Sequence, residues 1–123
     1  MLVIEANPQV RKLLRRTLDQ DRRFATVDEA GDLAAAFASV AGFRVALIDL
    51  DLAGLDGRGV IAALHDRNPS PAVVVLSVTG VPYLRYAAAV EGADDFLVRP
   101  DDLPQLTDRI AQAAARRAPQ PPA

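Results

Sequence analysis

Glu5, Asp49, Asp51, Ser77 and Arg99 are the residues of this sequence best suited to chemistry, because each stands at or just past the end of a short apolar run. Carboxylates can hold a cation or act as nucleophiles, while a hydroxyl and a guanidinium can bind the oxygens of an anion. A lone Asp after a strand more often caps the next helix than does chemistry. Here the ends of four separate runs carry such groups, which argues for one shared site. Several other chemistries are excluded. His65 is the only histidine and there is no cysteine, so neither a His/Cys metal cluster nor a Ser-His-Asp arrangement can be built within the chain. Gly54 and Gly57 lack nucleotide-loop spacing, and no dinucleotide fingerprint or Walker A motif occurs.

The elements that must position these groups alternate in period. Apolar, β-branched runs at Leu2 to Ile4, Phe24 to Val27, Arg44 to Ile48, Ala72 to Leu76 and Phe96 to Val98 predict five strands. Between them a helical period appears at Val10, Leu13, Leu14 and Leu18, at Leu33, Phe37 and Val40, and at Val60, Ile61 and Leu64. Leu84, Ala87 and Ala88 mark a fourth helix, and Leu103, Leu106 and Ile110 a fifth. Alternating strands and helices predict right-handed βαβ units, hence a mostly parallel α/β sheet covered on both faces. In such a sheet ligands sit outside the carboxyl ends of the strands, where the five polar residues fall. Asn7-Pro8 reads as an N-cap with proline at the first helical position, and Asp102-Leu103-Pro104 as a similar opening to the last helix. Asn68-Pro69-Ser70-Pro71 must interrupt the chain before the fourth strand. The expected organisation is one domain over 1–117, followed by a proline-rich tail or linker at 118–123.

Composition agrees with one globular domain. Of 123 residues, 50% are hydrophobic and 24% charged, and a chain of this length buries roughly two thirds of its extended surface on folding. Fourteen basic against sixteen acidic residues give a net charge of -2, so direct nucleic-acid contact is not expected. The apolar start is too short for a signal peptide and no run reaches spanning length, so a cytoplasmic location without membrane contact is the expectation. Arg11, Lys12, Arg15 and Arg16 gather on the first helix, either as a solvated face or as a docking surface.

Taken together, Val3-Ile4-Glu5-Ala6-Asn7-Pro8, Ala46 to Gly57, Val75-Leu76-Ser77 and Gly92 to Pro100 resemble the receiver domains of two-component response regulators over nearly the whole chain. The resemblance implies a flavodoxin-like (βα)5 fold with a five-stranded parallel sheet of order 2-1-3-4-5. It implies that Asp49 accepts a phosphoryl group from a phosphohistidine of a sensor histidine kinase or phosphotransfer protein. Ser77 would hydrogen-bond a phosphoryl oxygen, and Pro100 would follow a cis peptide bond. Mg²⁺ would be held by Glu5, Asp49 and the residue at Asp51. Such a domain is a signalling acceptor that catalyses at most its own phosphorylation and dephosphorylation. It would control an output domain or downstream protein through its fourth helix, fifth strand and fifth helix.

Three residues depart from the pattern. Ala6 stands where the family has its principal metal-binding Asp, so Mg²⁺ should bind weakly. Arg99 replaces the usual Lys; its planar fork either serves phosphate or holds Asp49 or Glu5 in a standing ion pair. Phe96 occupies the aromatic switch position without a hydroxyl, so burial in both states is the expectation. An alternative reading follows from the first two, a degenerate receiver acting as a phosphorylation-independent interaction module. The resemblance also implies a homodimer paired by Arg85, Asp95 and Arg109. Gln105 stands where an acid would face Arg85, so that dimer should be weak.

Overall fold

In the computed structural model, residues 1–39, 43–49, 57–67 and 70–117 are described. Five parallel strands form one sheet, as the alternating periods predict, in the order 2-1-3-4-5 that the resemblance implies. The strands are β1 (Leu2–Ile4), β2 (Asp28–Ala30), β3 (Val45–Asp49), β4 (Ala72–Ser77) and β5 (Asp95–Val98). The helices are α1 (Pro8–Asp19), α2 (Leu33–Ser39), α3 (Gly57–His65), α4 (Pro82–Val90) and α5 (Leu106–Arg117), the last preceded by a 3-10 turn at Leu103–Gln105.

Strand side chains alternate between two cores, which is why the central runs are continuously apolar. Leu2, Ile4, Ala46, Ile48, Val73, Val75 and Phe96 face α2, α3 and α4, packing against Ala36, Val60, Ile61, Leu64 and Ala88. Val3, Val45, Leu47, Val74, Leu76 and Leu97 face α1 and α5, against Leu14, Leu18, Leu106, Ile110 and Ala113. Each buried Leu, Ile or Val contributes about 1.5–3 kcal/mol of apolar burial. The sheet is therefore a rigid platform, and its carboxyl rim inherits that rigidity.

Three expectations need correction. The second strand lies at Asp28–Ala30 rather than Phe24 to Val27; Val27 is buried and Phe24 packs on the core from the preceding loop. The edge strand can be polar because Glu29 accepts from Arg11 Nε at 3.3 Å and from Arg15 Nη1 at 2.8 Å. Those two arginines thus bind α1 to the sheet edge, Arg11 partly buried and Arg15 exposed with Lys12 and Arg16 on the solvated face of the helix. Leu13, assigned to the apolar stripe of α1, is 63% exposed. Asp102 does not cap the last helix; its Oδ2 accepts from Val98 N–H at 2.8 Å. The Asn7 cap is as expected, its Oδ1 accepting from the amides of Gln9 at 2.9 Å and Val10 at 3.3 Å.

Asp95 and Arg109 meet within one chain. Arg109 donates Nη2 to Asp95 Oδ1 at 2.6 Å and Nε to Oδ2 at 2.9 Å, a bidentate pair joining β5 to α5. Burial opposes ionisation of Asp95, but the Arg109 fork and the Phe96 amide outweigh it and hold the carboxyl below its usual range. The folded protein therefore takes up this proton less readily than the unfolded chain, so the pair stabilises fully above the ordinary value of 3.8. That stability disappears as pH falls below 3.8 through the depressed folded value. Arg109→Ala should cost about 1–3 kcal/mol at neutral pH, since it leaves a half-buried carboxylate unpaired. In urea titrations the gap from wild type should stay constant down to about pH 5 and shrink below about pH 4. A gap that widens on acidification would reverse the assignment.

Candidate functional site

Strand register brings the polar ends together. Ile4 pairs with Ile48, so Glu5 and Asp49 are the next residues on adjacent strands. Asp49 pairs with Leu76, so Ser77 is one step further along β4. Ser77 pairs with Val98, and Arg99 follows. Glu5, Asp49, Ser77 and Arg99 therefore step across β1, β3, β4 and β5 at the carboxyl rim. Among the described residues, Glu5, Asp49 and Ser77 are the buried polar or charged ones, at 5%, 3% and 0% exposure. Burying carboxylates is costly unless they are paired or bind a cation. A core that is otherwise apolar and concentrates its buried polar groups at one rim has the composition of a binding site.

Each group is held by specific contacts. Glu5 Oε1 accepts from Asn7 N–H at 3.0 Å, while Glu5 Oε2 is buried without a hydrogen-bond partner. Arg99 Nη2 donates to Asp49 Oδ2 at 3.3 Å. The Arg99 backbone N–H donates to Ser77 O at 2.8 Å, its Nε is buried without a partner, and the Arg99–Pro100 bond is cis. Asp102 fixes the same corner from below through Val98. Ser77 Oγ accepts from Thr79 N–H at 3.2 Å, leaving its own proton for another acceptor. The side-chain distance supports the ion-pair alternative for Arg99, and the cation now beside Asp49 is a guanidinium.

Nothing in the basic cluster of α1 singles out Arg11 for the site. Arg11 Nη1 donates to Glu5 O at 2.8 Å, so a second guanidinium braces the loop that carries Glu5. One helical turn of spacing beyond the N-cap was the available signal. Phe96 is 7% exposed and belongs to the core, with Arg85 5.0 Å above its ring. Asp51 and the tail at 118–123 lie outside the described residues. Among those described, no group of three or more His, Cys, Asp or Glu could hold a metal ion, and no helix is long and apolar enough to cross a membrane.

The profile of the response regulator receiver domain family matches residues 1–111. The chain belongs to this family. Receiver domains are signalling domains that partner with histidine kinases and output domains and generally bind Mg²⁺ at the phosphorylation site. This receiver is 35% identical over 123 residues to the transcriptional regulatory protein TcrA of Mycobacterium tuberculosis, covering 98% of this chain and 47% of that protein. It is 29% identical over 120 residues to ResD of Bacillus subtilis, covering 98% of this chain and 49% of that protein. The receiver thus spans about half the length of these curated relatives. Among solved structures it is similar to a response regulator of Burkholderia pseudomallei with a phosphorylated aspartic acid, calcium ion and citrate. The TM-score is 0.78 at 26% identity, with 94% of this chain and 68% of that chain covered. A CheY-like receiver from Methanospirillum hungatei shares the fold at a TM-score of 0.81 and 16% identity, covering 94% of this chain and 93% of that one.

Proposed function

We propose that this receiver accepts a phosphoryl group on Asp49 from the phosphohistidine of a sensor kinase or phosphotransfer protein. The observation carrying this reading is the segregation of buried polar groups: Glu5, Asp49 and Ser77 alone among the described residues, side by side at the strand ends. In such a site Asp49 is the nucleophile and Ser77 Oγ–H the donor to a transferred oxygen. Arg99 is the resident positive charge for the anion that forms. The orphaned Glu5 Oε2 fits a hard cation, so Glu5 and Asp49 would hold Mg²⁺, which when bound neutralises phosphoryl oxygens. Ala6 offers no side-chain oxygen, so binding is weak. The change at Asp49 then reaches an output domain or downstream protein through α4, β5 and α5, where Tyr83 and Tyr86 stand 66% and 72% exposed. Any homodimer through this face is weak, because Asp95 and Arg109 already satisfy each other within the chain.

The test is incubation with acetyl phosphate and Mg²⁺, read by intact mass. One added phosphoryl group is expected, and no adduct at high magnesium refutes the proposal. A second reading, a phosphorylation-independent interaction module, draws on Ala6 and on the Arg99–Asp49 contact at 3.3 Å; that outcome would favour it. Ala6→Asp should tighten Mg²⁺ binding by about tenfold or more, since it restores a charged hard ligand beside Glu5. Unchanged calorimetric affinity would mean that another group already fills the position.

A further inference from the structure

Arg11 stands in the basic cluster of α1, yet its side chain is partly buried and its guanidinium reaches two strand ends at once. Nη1 donates to Glu5 O at 2.8 Å, just past β1. Nε donates to Glu29 Oε1 at 3.3 Å, on β2. Glu29 is shared with Arg15, whose Nη1 meets its other oxygen at 2.8 Å, so the outer half of this network holds α1 against the sheet edge. The contact with Glu5 acts on the rim. Glu5 N–H donates to Ala30 O at 3.0 Å, and Glu5 Oε1 accepts from Asn7 N–H at 3.0 Å. With Arg11 on its carbonyl, Glu5 is fixed at its amide, its carbonyl and one carboxylate oxygen, while Oε2 is buried without a hydrogen-bond partner. The guanidinium fits there because residue 31 is glycine. A Cβ on Gly31 would lie 2.8 Å from Arg11 Nη1, so what this glycine provides is space for the side chain of Arg11.

We propose that Arg11 is a positioning residue which, through the Glu5 carbonyl, holds the Glu5 carboxylate in the aim that a divalent cation needs beside Asp49. This rests on the cation reading of Glu5 given above and names the group that prepares its ligand. The physical reason lies at Ala6. With no side-chain oxygen on Ala6, Glu5 is the single acid that the loop of residues 5–7 brings to the rim, so no neighbour compensates for an error in its aim. Mg²⁺ demands near-octahedral placement of its oxygens, and contacts that orient a ligand from outside contribute about 10- to 100-fold in affinity. Arg11 also brings a positive charge, which opposes a cation. The two effects have opposite sign, so the test must move the guanidinium while keeping its charge.

The test uses the full chain. Gly31→Ala keeps the charge and displaces the flexible end of Arg11 from Glu5 O. Arg11→Lys keeps the charge on one compact ammonium, which stays with the Glu29 carboxylate and abandons the carbonyl. Glu29→Gln removes the outer ion pairs and leaves the Glu5 contact. In metal-free protein followed by NMR, hydrogen exchange of the Asn7 amide reports the hold on the Glu5 carboxylate. It should quicken about 3- to 10-fold in Gly31→Ala and in Arg11→Lys, as for the loss of one hydrogen bond. Calorimetric Mg²⁺ affinity should fall about 10-fold in the same two variants. In Glu29→Gln both readouts should match wild type although resistance to urea falls. An Asn7 amide unmoved in Gly31→Ala and Arg11→Lys overturns the proposal. Equal shifts in Glu29→Gln would overturn it as well, since Arg11 would then act only by anchoring α1. A quicker Asn7 amide with unchanged Mg²⁺ affinity would refute the link to the cation. Wild-type protein that takes up no Mg²⁺ would refute the cation reading itself, while the Asn7 amide still decides whether Arg11 positions Glu5.

Discussion

Asp49→Asn is expected to leave the fold intact and to abolish labelling by acetyl phosphate. The substitution is isosteric at a position that is 3% exposed, so packing in the core below is undisturbed. What disappears is the charged nucleophile, because a neutral amide offers no comparable electron pair to phosphorus. The same change removes the anion that Arg99 Nη2 meets at 3.3 Å. Arg99 is then free to turn toward Glu5, whose Oε2 is buried without a hydrogen-bond partner. Glu5 lies at the end of β1, next to the strand of Asp49, and its other oxygen is committed to the Asn7 amide at 3.0 Å. Matching thermal melts with complete loss of the phosphoryl adduct is the expected pair of results. An adduct persisting in the Asn variant and vanishing on further Glu5→Gln would transfer the acceptor role to Glu5.

How far this site could be read in the sequence depends on how local its causes are. The central strands announce themselves because both faces are buried, so β1, β3 and β4 appear as unbroken apolar runs that end at the polar residues. Their shared register then makes Glu5, Asp49, Ser77 and Arg99 neighbours without further information. The edge strand behaves differently. Asp28–Ala30 gains its place from hydrogen bonds to β1 and from two arginines of α1 on Glu29, and neither leaves an apolar trace. Phe24 to Val27 draws attention instead, although it packs as a loop. Side-chain partners chosen by tertiary geometry were equally hidden. Asp102 reads as a cap but binds an amide of β5, and nothing in the sequence shows that Asp95 and Arg109 close on each other within the chain. Charge alone does not distinguish an intrachain partner from an external one.

Gly92→Ala is expected to destabilise the receiver by about 2–4 kcal/mol, from two separable causes. Gly92 has φ +108°, in the region where a side chain on an L-residue clashes with its own backbone at roughly 1–2 kcal/mol. This conformation ends α4: Gly92 N–H donates to Ala89 O at 3.1 Å and Ala93 N–H to Ala88 O at 3.0 Å, the paired bonds of a Schellman motif. The turn then delivers Asp94, whose amide donates to Val73 O at 2.7 Å and whose Oδ2 accepts from Val73 N–H at 2.8 Å. Those bonds start β5 in register with β4, and register is what carries Arg99 to the rim. The second cause is steric. A Cβ at position 92 would stand 2.5 Å from His65 Cδ2 and 2.6 Å from Cγ, so α3 and α4 would have to separate or the imidazole leave. In a His65→Ala background the steric cause is gone and Gly92→Ala should cost only the backbone share, about 1–2 kcal/mol. Urea denaturation of wild type, both single variants and the double variant gives the cycle. A full additive cost in the double variant would place all the strain in the backbone, and a cost below about 0.5 kcal/mol for Gly92→Ala alone would show that the α4 terminus reforms without glycine.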